Sequence, residues 1–154
     1  MPEYFDISLI VSKRNNSKNE IHDFLMKINL PEGENESEHF ENRKTIVSLF
    51  DYENADFYEI CIGIPKQTYH KEVFENELKQ LTSFIHECFE QNAFIQYALC
   101  SFELNGYLLK SIRNIQNFDC NLLNRFPIAY YRDEISNSPL LLVNLSAQDI
   151  FCII

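Results

Sequence analysis

The chain of 154 residues is one domain's length, carries 23 Asp and Glu against 13 Lys and Arg for a formal charge of −10, and is 45% hydrophobic. A domain of this size buries about 70% of the surface its unfolded chain exposes, so it needs no disulfide or metal staple, and the composition excludes disorder across the whole chain. The charge balance argues against direct nucleic-acid binding, which needs a basic stripe, and three widely separated glycines, Gly33, Gly63 and Gly106, cannot build a phosphate-cradling loop.

In chain order, Phe5, Ile7, Leu9 and Val11 alternate with Tyr4, Asp6, Ser8 and Ser12, the period of a strand with one buried face. Ser17 followed by Glu20 has the spacing of a capping box ahead of Ile21, Phe24, Leu25 and Ile28, which predicts an amphipathic helix ended by Pro31. Residues 32–42 hold five glutamates and little to bury, so an exposed, mobile loop is expected there. Residues 45–50 and 57–64 are β-branched and aromatic runs joined by a polar loop, a hairpin closed by Pro65, with Tyr58, Ile60, Ile62 and Ile64 sharing one face. Phe74, Leu78, Leu81, Ile85 and Cys88 recur at helical spacing, and Phe84 and Phe89 widen the stripe.

Residues 94–104 read as a strand, with Asn105-Gly106 turning it back through Tyr107 to Leu109. Five asparagines between 105 and 124 weaken the helical spacing of Ile112, Ile115 and Phe118, so residues 110–125 are expected to be mostly irregular. Strands are expected at 128–132 and 140–145, and the apolar run 150–154 is a further candidate. The order βαββαβ over residues 1–104 corresponds to a ferredoxin-like sandwich, an α+β fold with two helices on one face of an antiparallel sheet. Residues 105–154 would form a strand-rich extension of the same single domain.

No apolar run approaches the ~18 residues of a spanning helix, and the first residues lack the basic and apolar regions of a secretory signal. A cytoplasmic location is therefore expected, with Cys61, Cys88, Cys100, Cys120 and Cys152 reduced and mostly buried. The one dense cluster of metal-ligand types, His86-Glu87-Cys88 with Glu90, lacks the spacing of a zinc helix. No cofactor, metal site or catalytic residue is expected. The best pocket candidate is Tyr130-Tyr131-Arg132-Asp133-Glu134 at a strand end, the basis of an alternative reading as a small enzyme or ligand-binding protein. Lys13, Arg14 and Lys18 form a small basic patch near a helix start.

The acidity is uneven. Residues 1–77 hold sixteen acids against eight bases, and residues 32–59 hold nine acids against Arg43 and Lys44. A field of one sign steers a basic partner, and nearby aromatic rings supply contact area. The expected function is a non-enzymatic acidic interaction protein that inhibits a basic protein partner, with the size and charge of bacterial immunity proteins and antitoxins. The expected contact residues are Glu34, Glu36, Glu38, Glu41, Asp51, Glu53, Asp56 and Glu59, with Tyr52 and Tyr58 as aromatic anchors. Further alternatives are an inhibitor that mimics nucleic acid and a homo-oligomeric structural subunit.

Overall fold

The computed structural model describes residues 3–14, 17–30, 45–66, 71–102, 112–123, 126, 128–133 and 139–143. They form a mixed α+β fold. Strands β1 (Glu3–Ser12), β2 (Ile46–Phe50), β3 (Phe57–Lys66), β4 (Ile95–Phe102), β5 (Ile128–Arg132) and β6 (Pro139–Val143) make one sheet in the order β2-β3-β1-β4-β5-β6. Every neighbouring pair is antiparallel. The helices are α1 (Lys18–Lys27), α2 (Lys71–Gln91) and the one-turn α3 (Cys120–Leu123), preceded by a 3-10 turn at Ile115–Asn117.

Local signals account for most of these elements. Ser17 and Glu20 form the reciprocal capping box that satisfies orphan N–H groups at the start of α1. The helix ends at Lys27, because Ile28 turns extended while its N–H still bonds the Phe24 carbonyl; Pro31 lies beyond this stop. The β2–β3 pairing ends ahead of Pro65, as expected of the hairpin, although β3 itself continues to Lys66 opposite Glu3. β2 pairs only as far as Gly63, so Pro65 sits where the described residues place a neighbour on one side alone, and its missing N–H costs no ladder bond there.

The main core lies between the sheet and α1 with α2. Phe5, Ile7, Leu9 and Val11 of β1, Tyr58, Ile60, Ile62 and Ile64 of β3, and Ala98 and Cys100 of β4 pack against Ile21, Phe24, Ile85, Cys88 and Phe89. Burying side chains of this size stabilises by about 1.5–3 kcal/mol each, relative to exposure. The side chains of Phe74 and Leu78 and the hairpin at Asn105-Gly106 lie outside the described residues, as does the run 150–154.

The opposite face departs from the one-sided sheet that the alternation predicts. Ile10, Phe57, Leu99 and Ala129 are buried beneath Phe118, Leu122, Leu123 and Phe126, with Ile112 and Ile115 packed alongside. Residues 112–123 and Phe126 thus form a second layer with its own core. Mostly irregular chain was expected here, but seven of the twelve residues from 112 to 123 lie in the 3-10 turn or in α3, whose first turn is capped by the Asp119 carboxylate accepting from the Leu122 N–H at 2.9 Å. The segment is also held in place: the Asp56 carboxylate accepts from the Ile115 N–H at 2.7 Å, and the Asp56 N–H donates to the Arg113 carbonyl at 2.8 Å.

Candidate functional site

The hairpin β2–β3 carries the described part of the expected acidic surface. Its connecting turn closes through the Ala55 N–H to the Tyr52 carbonyl at 3.1 Å, with Asn54 at φ 60°, a left-handed conformation that asparagine tolerates better than most residues. At one end of this turn Asp51 accepts from Lys13 at 2.6 Å and lies 3.1 Å from Lys18. These two ammonium groups hold its carboxyl below the ordinary value. Because the folded value is depressed, the contribution of this triad is present above the unfolded carboxyl value near 3.8 and is lost as pH falls through the folded one.

The ten expected contact residues fall into three groups. Glu34, Glu36, Glu38 and Glu41 lie outside the described residues. Asp51, Glu53 and Asp56 are exposed around the turn, and Tyr52 is half-buried beside them. Tyr58 and Glu59, however, retain only 8% and 3% of their exposure, which corrects their assignment to a surface. The physical reason is strand alternation within a sheet covered on both sides. Tyr58 points into the helix-side core, with Lys13 over its ring at 5.0 Å, while Glu59 points to the opposite face.

There Glu59 accepts hydrogen bonds from the hydroxyls of Ser8 and Tyr52. Buried carboxylates are tolerable when such donors replace water. Burial, then the Glu59 carboxylate, raises the Tyr52 phenol above its ordinary range, while burial, Asp6 and Glu59 push the Cys61 thiol up to about 12. Burial does the same to Cys88, also about 12, and more strongly to Cys100. All three are free thiols held protonated at neutral pH, whereas the side chains of Cys120 and Cys152 lie outside the described residues. Iodoacetamide at pH 8 is expected to label Cys61, Cys88 and Cys100 slowly in the native protein and rapidly in denaturant, because the thiolate is the reactive form. Peptide mapping by mass spectrometry checks this, and fast native labelling at all three would contradict it.

A feature that the sequence reading missed lies on β2, the edge strand. Val47 and Leu49 pack inward on the helix-side core, so Ile46 and Phe50 project from the opposite face, 50% and 44% exposed. Phe50 stacks on Tyr52 with ring centroids 6.1 Å apart. Among the described residues no strand pairs with the outer edge of β2. The signal available in sequence was the short alternation Ile46, Ser48, Phe50, but only strand order identifies this strand as an edge.

The alternative pocket at Tyr130–Glu134 is also corrected, because its two strongest polar groups are consumed by the fold. Tyr130 is fully buried and shares a 2.8 Å hydrogen bond with Thr82. Arg132 donates to the carbonyls of Ile95 at 2.8 Å and of Phe89 and Asn92 at 3.0 Å, with its guanidinium 4.7 Å from the Phe89 ring centroid. It therefore satisfies carbonyls around the C-terminal end of α2. Glu134 lies outside the described residues. Among the described residues no three His, Cys, Asp or Glu side chains come together as a metal site, and no helix is long and apolar enough to cross a membrane.

No protein-family model, curated protein or solved structure matches this chain.

Proposed function

We propose that this chain is a non-enzymatic interaction protein that binds and inhibits a basic protein partner through the β2 edge and the turn that follows it. The observation that carries this reading is the exposed apolar pair Ile46 and Phe50 on an edge strand, with the exposed Glu53 on the turn that follows, in a chain of net charge −10; Asp51 beside it is engaged by Lys13 and Lys18. Exposed aromatic and aliphatic side chains anchor an interface, while acidic residues at its rim steer a basic surface toward it. The strand edge, unpaired among the described residues, also offers main-chain hydrogen bonds to an added strand. The glutamates at 34, 36, 38 and 41 precede β2 in the chain and extend the same acidic stretch.

We further read the fold as ferredoxin-like with a C-terminal extension. The order β2-β3-β1-β4, with a helix after β1 and another after β3, supports this. A cytoplasmic location fits the free thiols.

The test is affinity capture from the native host with the wild-type chain and with the Ile46→Lys/Phe50→Lys double variant, followed by surface plasmon resonance on the captured protein. Wild type is expected to retain a basic protein that the double variant loses. Glu53→Lys is expected to slow association several-fold at low salt and less at physiological salt, where the Debye length is about 8 Å. Equal retention by both chains, or association indifferent to salt, would overturn the reading.

A further inference from the structure

A second site lies away from the β2 edge, at the end of the sheet where β1 finishes and β4 begins. An open pocket of about 340 Å³ is lined there by Ser12, Arg14, Phe94, Gln96, Tyr97, Ile115 and Gln116. Three separate stretches of chain meet to build it. Main-chain and side-chain bonds hold its walls: the Ser12 N–H donates to the Phe94 carbonyl at 2.9 Å and the Arg14 N–H to Ser12 Oγ at 3.2 Å. The Tyr97 hydroxyl donates to the Phe118 carbonyl at 3.3 Å while its ring stacks on Phe118 at 5.2 Å.

A β-bulge places one of the lining residues. Ile10 lies opposite Tyr97 and Val11 opposite Ile95, which leaves Gln96 as an extra residue in β4. Strict alternation would put Gln96 and Tyr97 on opposite faces of the sheet. The bulge instead lets both line one pocket, the re-aiming of a side chain for which bulges are often used.

The chemistry of the lining is selective. None of the described residues that line this pocket is acidic, although the Asp56 carboxylate is bonded to the N–H of the lining Ile115. Its cation is Arg14, which makes no ion pair among the described residues, while Lys13 and Lys18 are both engaged by Asp51. A guanidinium binds carboxylate or phosphate oxygens through paired N–H groups. Gln96 and Gln116 supply two carboxamides, each both donor and acceptor, the groups that read the edge of a heteroaromatic ring. Phe94, Tyr97 and Ile115 supply apolar surface on which such a ring lies. The volume is near the lower end of ligand pockets, which span about 300–1,000 Å³.

We propose that this pocket binds a small anionic ligand with a flat, hydrogen-bonding ring, of the nucleoside monophosphate class, with Arg14 on the anion and Gln96 and Gln116 on the ring edge. None of these residues is among those proposed above to bind the partner. The test is a titration of the full ¹⁵N-labelled chain, followed by two-dimensional amide spectra, with adenosine monophosphate, adenosine and inorganic phosphate in separate arms. The monophosphate is expected to shift the amides of residues 12–14, 94–97 and 115–116 saturably below about 1 mM, and adenosine and phosphate more weakly. Arg14→Ala is expected to weaken the monophosphate about tenfold and leave adenosine unchanged, with Gln116→Ala weakening both. Each exposed-residue variant should keep the dispersed spectrum of the wild type. The proposal is overturned if the monophosphate gives no saturable shifts at these residues up to about 10 mM. It is equally overturned if Arg14→Ala binds it as wild type does, or if phosphate alone matches its affinity.

Discussion

Glu59→Lys is expected to destabilise the fold by roughly 3–5 kcal/mol, because it would leave an uncompensated charge in a buried site. Glu53→Lys, on the exposed turn of the same hairpin, is expected to stay within about 0.5 kcal/mol of wild type. The contrast follows from position alone: Glu59 is 3% exposed and accepts from Ser8 and Tyr52, whereas Glu53 faces solvent. Glu59→Gln is expected to fall between them, at about 1–3 kcal/mol, since an amide accepts through one oxygen and turns its NH₂ donors toward the remaining hydroxyl. Urea unfolding of the three variants measures this, and a Glu59→Lys variant as stable as wild type would show that the carboxylate is not held as described. The same result bears on any charge-reversal test of partner binding. A Glu59 variant reports on folding, so the test belongs to Glu53 and the β2 edge.

Arg132→Ala is expected to cost about 2–4 kcal/mol, through the loss of charge-assisted bonds to three main-chain carbonyls and of the contact with the Phe89 ring. For a chain of this length each kcal/mol corresponds to about 2–4 °C in Tm. Arg132→Lys is expected to recover less than half of the loss, since an ammonium is a compact point charge and lacks the planar fork that reaches several acceptors at once. Thermal unfolding gives the magnitude. Hydrogen exchange locates it, with lost protection expected at the C-terminal end of α2 and the start of β4, the two places that Arg132 joins. Unchanged protection there, with an intact Tm, would remove Arg132 from this role.

Much of the secondary structure was legible in local sequence because its causes are local. The Ser17 and Glu20 pair sets the start of α1 through bonds between residues three apart, and the apolar positions of β1 and β3 alternate because successive side chains leave a strand on opposite sides. The stripe ending in Leu81, Ile85 and Cys88 meets the sheet as its spacing implies. Alternation states which side of a strand a residue occupies. It says nothing about what lies over that side.

That second question was decided by tertiary structure, and it changed the reading of the site. Glu59 does lie on the face away from the helices, but that face is covered, in part by residues 112–123 and Phe126, more than fifty positions later in the chain. The triplets Leu9-Ile10-Val11, Ala98-Leu99-Cys100 and Ile128-Ala129-Tyr130 carry the trace of this cover, since a strand apolar at consecutive positions is buried on both faces. Asp56 likewise counts as one more acid in composition, yet it anchors the crossing segment through the Ile115 N–H. Arg132 belongs to the same class, because its three acceptors lie 37 to 43 residues away. The edge position of β2 and the bulge at Gln96 depend on strand order and register, which arise from pairing between distant segments. Sequence by itself determined most of the described elements and the faces of their strands; the short helical turns between residues 115 and 123, which faces are covered, which edge is open and where a pocket forms depended on how those elements pack.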